Sequence, residues 1–155
     1  QEVMNLFSSI ERSWKKKFFD GKSLLTYDTL IKNSDAFLNK IYEHDIHIFY
    51  LTGRHFNLMR KGTIEQLMKY SFPFKEENLI LKKSSFIDDQ IFKSEAIKTI
   101  SDNFEIIGNF ENEYLNIAYM SLEAPNAVHV IVDSQHSGRA TPELNTPVYR
   151  IMGFD

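Results

Sequence analysis

The stretch Ile46-His47-Ile48-Phe49-Tyr50-Leu51-Thr52-Gly53-Arg54 decides the fold. Its first six residues are β-branched, aromatic or apolar apart from one His, the composition of a short strand buried on both faces. It runs without a polar spacer into Thr-Gly-Arg, a turn signal. Upstream, Ser34 is suited to cap a helix from Asp35 to Glu43, with Phe37, Leu38 and Ile41 on its buried side. Downstream, the spacing predicts a helix from about His55 to Tyr70, interrupted or restarted near Gly62-Thr63. A helix, a doubly buried strand and a second helix make the repeating unit of a parallel sheet.

The pattern continues outward. Leu79-Ile80-Leu81 reads as a second strand, followed by a helix over Gln90 to Ser101. Glu105-Ile106-Ile107-Gly108 reads as a third, leading through Glu111-Asn112-Glu113 into a helix that ends at Leu122. Ala127 to Val132 is a fourth strand and Val148 to Met152 a fifth, with a polar loop between them. At the other end, Val3, Leu6, Phe7, Ile10, Trp14 and Phe18 recur at helical spacing over Val3 to Phe19, and Asp20-Gly21-Lys22-Ser23 ends that helix. Gly21-Lys22-Ser23 lacks the upstream Gly and strand of a P-loop. One α/β domain over residues 1–155 is expected, with 1–30 a possible small helical cap.

Composition narrows the function classes. A chain of 155 residues is long enough for one sizeable core. A net charge of −3 with no long basic block argues against a nucleic-acid binder. No apolar run reaches the length of a membrane span, so no membrane partner is expected. Zero Cys excludes Cys-based zinc sites. Thirteen Phe promise a bulky aromatic core. His44 and His47 lack a third ligand, and Asp88-Asp89 reads as a helix cap. No basic-then-apolar leader is visible, so the expected compartment is the cytoplasm, although an opening Gln suggests a trimmed N-terminus.

In open α/β sheets, ligands bind beyond the carboxyl ends of the strands. The residues there are Thr52-Gly53-Arg54, Lys82-Lys83, Gly108 through Glu113, and Asp133-Ser134. They combine a hydroxyl, amides beside Gly, cations and carboxylates. That set suits a phosphate and a divalent metal better than an apolar ligand.

In this order and context the residues resemble the haloacid dehalogenase (HAD) superfamily, mostly magnesium-dependent phosphohydrolases. The similarity runs from about Ile31 to Asp155. The family's second motif is an apolar strand ending in Thr or Ser, matched by Ile48-Phe49-Tyr50-Leu51-Thr52 and extended by Gly53-Arg54. Its third, a Lys opening a helix, is matched by Lys93, with Lys98 as the alternative. Its fourth, acidic residues after a strand, is matched by Glu111-Asn112-Glu113, with Asn116 further on. Asp133-Ser134-Gln135-His136-Ser137 adds a likeness to a subgroup of small HAD proteins.

This resemblance implies a three-layer Rossmann-like core, a mostly parallel sheet with helices on both faces, and a small cap or none. It also implies Thr52, Gly53 and Arg54 on substrate phosphate, Thr52 and Lys93 in catalysis, and Glu111 with Asn112 on Mg2+. The substrate would be a small phosphate monoester, hydrolysed through an aspartyl-phosphate. The family's first motif, Asp-x-Asp after an N-terminal strand, has no match before Thr52. The expectation is therefore a domain without its central strand, inactive alone. A non-catalytic HAD-like binding protein and a phosphotransferase are the rival expectations.

Overall fold

The computed structural model describes residues 2–18, 20 and 28–155. The proposed turn at Gly21-Lys22-Ser23 lies outside them. In chain order the elements are α1 (Glu2–Phe18), α2 (Ser34–Tyr42), β1 (Tyr50–His55), α3 (Phe56–Lys69) and, after a 3-10 turn, β2 (Leu79–Lys82). Then follow α4 (Asp89–Ser101), β3 (Gly108–Glu111), α5 (Tyr114–Glu123), β4 (Val128–Val132) and β5 (Val148–Ile151).

All described pairings are parallel, as expected of an α/β Rossmann-like fold. They form two sheets rather than one: β1 pairs with β2, and β3, β4 and β5 pair in that order. Among the described residues, β1 and β3 each have one edge without a strand partner.

Neighbouring residues of β1 show that both faces of its sheet are covered, because successive side chains point to opposite faces. Tyr50 packs with Leu67 of α3 and Leu79 and Leu81 of β2. Leu51 packs with Ile97 of α4 and Met120 and Ala124 of α5. Helix α4 also lies against α5, which covers β3 and β4, so the α4–α5 pair joins the two sheets.

Residues 28–34 form a second tie. Tyr70 Oη donates to the Asp28 carbonyl at 3.1 Å on the α3 side. On the other side Phe154 N donates to the Lys32 carbonyl at 3.1 Å, and Asn33 Nδ2 to Asp155 at 2.8 Å.

Several boundaries move from their expected places. β1 begins at Tyr50 rather than Ile46, and β3 at Gly108 rather than Glu105. Both strands end later than their apolar runs, because ladders exist only where a partner strand runs alongside: Tyr50 pairs with Leu79 and Gly108 with Val128. Helix α3 is continuous through Gly62-Thr63. Gly62 sits on its buried face and the Thr63 hydroxyl donates to the Met59 carbonyl at 2.8 Å, so neither breaks it.

Ser34 is not a cap. Asn33 stands at that position in the left-handed region (φ 59), without a side-chain cap bond, and Ser34 is buried inside the first turn. Asp88 caps nothing with its side chain either. The aromatic core is also displaced: no described Phe is fully buried, and the core is Met, Leu, Ile, Val and Ala. Phe37, Phe110 and Phe154 instead cluster, with Phe37 at 5.4 Å and 4.6 Å from the other two ring centroids.

One buried polar pair carries a pH dependence. Asn109 and His129 are cross-strand partners on β3 and β4. Asn109 Nδ2 lies 3.3 Å from His129 Nδ1, and His129 Nε2 lies 3.1 Å from the Ala124 carbonyl. The amide nitrogen can only donate, so Nδ1 accepts and the ring is neutral with its proton on Nε2. Burial lowers the His129 pKa below its ordinary 6.5, against the smaller opposing effect of the Ala124 bond.

With the folded value lower than the unfolded one, the unfolded chain takes up the proton first. This contribution is complete above pH 6.5 and is lost as pH falls below it. Thermal melts between pH 7 and 5 should show stability falling. His129→Gln, which keeps a donor and an acceptor, should flatten that slope.

Candidate functional site

Residues of both β1 and β3 line a cavity of about 780 Å3, whose wall includes Thr52, Arg54, Lys93, Glu111 and Asn112. It opens at the carboxyl ends of the strands, where an α/β sheet presents ligand-binding groups. Five of the six residues singled out in the sequence thus share one space. Gly53 does not line it: the Asp89 carboxylate lies over its backbone, where an added Cβ would meet both oxygens at 2.8 Å. Asp89 is held there by Lys82 Nζ at 2.5 Å.

Lys93 and Glu111 form a buried ion pair, Nζ to Oε2, with side chains 10% and 6% exposed. Their positions follow from local structure: Lys93 lies one turn into α4, and Glu111 ends β3. The other oxygen, Oε1, accepts the backbone N–H groups of Asn112 (3.0 Å) and Glu113 (3.2 Å). These amides precede α5 and would otherwise lack acceptors. Glu111 is therefore fully engaged, and Lys93 is fixed at the cavity wall with N–H donors to spare. Lys98 is exposed and does not line the cavity.

Thr52 Oγ1 accepts the Arg54 N–H at 3.3 Å, which leaves its own hydroxyl proton for another acceptor. Arg54 is spent on structure. Its guanidinium donates to Asp28 Oδ2 (2.5 Å), Gln66 Oε1 (2.8 Å) and Thr63 Oγ1 (3.3 Å). Burial lowers its pKa, with Asp28 opposing. Sequence reading missed this network. Its one signal was Thr63 and Gln66, polar residues at i, i+3 on the α3 face that also holds Met59 and Leu67.

The residues after β4 are anchored over the same end of the sheet. Asn112 Nδ2 donates to the Gln135 carbonyl at 2.5 Å. Glu113 accepts both the backbone N–H and the hydroxyl of Ser137, the latter at 2.9 Å. Ser134 and Gln135 line the cavity. Among the described residues no group of three or more His, Cys, Asp or Glu could hold a metal ion. Glu111 already accepts three hydrogen bonds and only the carbonyl oxygen of the Asn112 side chain stays open, so the residues present do not by themselves supply the near-octahedral oxygen ligation that Mg2+ demands.

Two outcomes follow. Lys93→Met strands a buried carboxylate and should cost about 3–5 kcal/mol in urea unfolding. Lys93→Met/Glu111→Leu should recover most of that loss. Calorimetry should find no tight Mg2+ binding by these 155 residues, and tight binding abolished by Glu111→Gln would contradict the geometry just described.

Comparison with known proteins gives one family match, to the HAD superfamily, subfamily IIIB (acid phosphatase), over residues 8–149. No curated protein and no solved structure matches the chain. The family match leaves out only the first seven and last six residues. It agrees with the parallel α/β architecture and with a cavity where the motif-bearing strands end. The chain belongs to subfamily IIIB of the HAD superfamily, the acid phosphatases.

Proposed function

We infer that this chain is the core of a phosphatase acting on small phosphate monoesters through an aspartyl-phosphate, its nucleophile borne by a strand seated between β1 and β3. The carrying observation is that Thr52 and Lys93 line one cavity with residues of β1 and β3, each of which has one edge without a strand partner among the described residues. A strand in that slot would satisfy both edges, which otherwise leave backbone groups without ladder partners. Of the carboxylates already lining the cavity, Asp28 is bound to Arg54 and Glu111 to Lys93.

In the reaction, a carboxylate oxygen of the first Asp of an Asp-x-Asp motif on that strand attacks phosphorus and the ester P–O bond breaks, the leaving oxygen taking a proton from the motif's second Asp. Water then attacks phosphorus, giving its proton to that second Asp, the P–O bond to the first Asp breaks, and phosphate departs. The Thr52 hydroxyl donates to a phosphoryl oxygen. Lys93 offsets the charge on nucleophile and phosphoryl group, held in place by Glu111. Phosphatases of this superfamily generally use Mg2+. Here its full ligand set requires oxygens beyond those of Glu111 and Asn112, which the motif strand would bring.

These 155 residues alone should release no phosphate from p-nitrophenyl phosphate, with or without Mg2+. Joined to an N-terminal apolar strand ending in Asp-x-Asp, they should turn it over. Thr52→Ala in that form should lower kcat about 10²–10³-fold. Magnesium-dependent turnover by the 155 residues alone would overturn the assignment of the nucleophile. Phosphate binding without turnover in the extended form would favour a binding protein instead.

A further inference from the structure

The segment that follows β4 carries an arginine, Arg139, that the reaction above does not use. Glu113, at the start of α5, directs its carboxylate away from the helix it precedes and onto Ser137, holding that residue by two bonds. Asn112 holds Gln135, so the segment is tied down at two points beside the cavity mouth. From there it reaches the first turn of α4, where Arg139 Nη1 donates to Gln90 Oε1 at 3.3 Å.

Gln90 and Lys93 are three residues apart on α4 and share a face. Arg139 is exposed and has no other hydrogen-bond or ion-pair partner among the described residues. Its guanidinium fork therefore keeps most of its donors free; it rests on Gln90, one helical turn before the lysine that lines the cavity, and is not itself part of the cavity wall.

We propose that Arg139 is a specificity-determining residue that binds a second anionic group on the substrate, and that Glu113 is the positioning residue that presents it. The inference rests on the phosphate site described above and adds its substrate class: phosphate monoesters carrying a further phosphate or carboxylate. Guanidinium suits either group, since its parallel N–H donors match two oxygens of one anion. Glu113 acts only through Ser137. Its carboxylate is the acceptor that fixes the segment, where a metal role would need those oxygens free.

Calorimetry on the form extended by the Asp-x-Asp strand, its first Asp replaced by Asn so that probes bind without turnover, tests this with propyl phosphate, propane-1,3-diyl bisphosphate and 3-phosphonooxypropanoate. The two probes with a second anionic group should bind about tenfold more tightly than propyl phosphate. The bisphosphate and the carboxylate probe separate the two sources of the second charge. Arg139→Gln should bring the affinity ratio close to one, and Arg139→Lys should restore part of it. Glu113→Gln should reduce the same ratio without changing the melting temperature by more than a few degrees. A ratio near one in the parent chain, or a ratio indifferent to Arg139→Gln, overturns the proposal while leaving the phosphate site standing. Failure of all three probes to bind overturns the phosphate site itself and this inference with it.

Discussion

The buried pair between Lys93 and Glu111 is the contact on which the rest of the arrangement depends. It links α4, packed on β1, to the last residue of β3, and so spans the divide between the two sheets. Two charges taken out of water are costly unless each finds its partner and its remaining hydrogen bonds. Here Glu111 meets that condition by also accepting two backbone amides ahead of α5. The same three bonds set the direction of the β3–α5 turn, the depth of Lys93 in the cavity and the start of α5.

A second network on the opposite side has the same logic with a different outcome. Arg54 follows the motif Thr in sequence, yet its donors go to Asp28, Thr63 and Gln66 rather than into open space. The effect is to hold residues 28–34 across the two sheets, since the other end of that segment is bound to Phe154 and Asp155. The division between sheets also explains where the phenylalanines go. Phe110 is the exposed residue of β3 and meets Phe37 and Phe154 beside the cavity, leaving the close-packed core to aliphatic side chains.

Much of this was legible from residue order. The strand–helix alternation fixed a parallel sheet, and the residues following each strand marked the end at which groups would gather. Thr52, Glu111 and Asn112 were identifiable that way and Lys93 only through the family resemblance, and all four line one cavity. Strand limits were less legible, because periodicity records which side chains are buried, whereas a ladder needs a neighbour. Ile46 to Phe49 have the character of a strand but no ladder partner among the described residues, so β1 begins only at Tyr50. Asp89 was equally opaque. An acidic residue at a helix start looks like a cap, and only the approach of Lys82 and the bare backbone of Gly53 draw it elsewhere.

By itself the sequence determined the element types, their order and the chemistry available at the strand ends, because those follow from local composition and from the handedness and twist of parallel β-α units. The tertiary structure alone decided how that chemistry is distributed. Cations at positions 54, 82 and 93 look alike in the chain. Packing sends the first to Asp28, the second to Asp89 and the third to Glu111, and leaves Arg139 with a single neutral partner. The physical reason is that an ion pair forms where side chains far apart in sequence meet out of water, and no local pattern records which of them will.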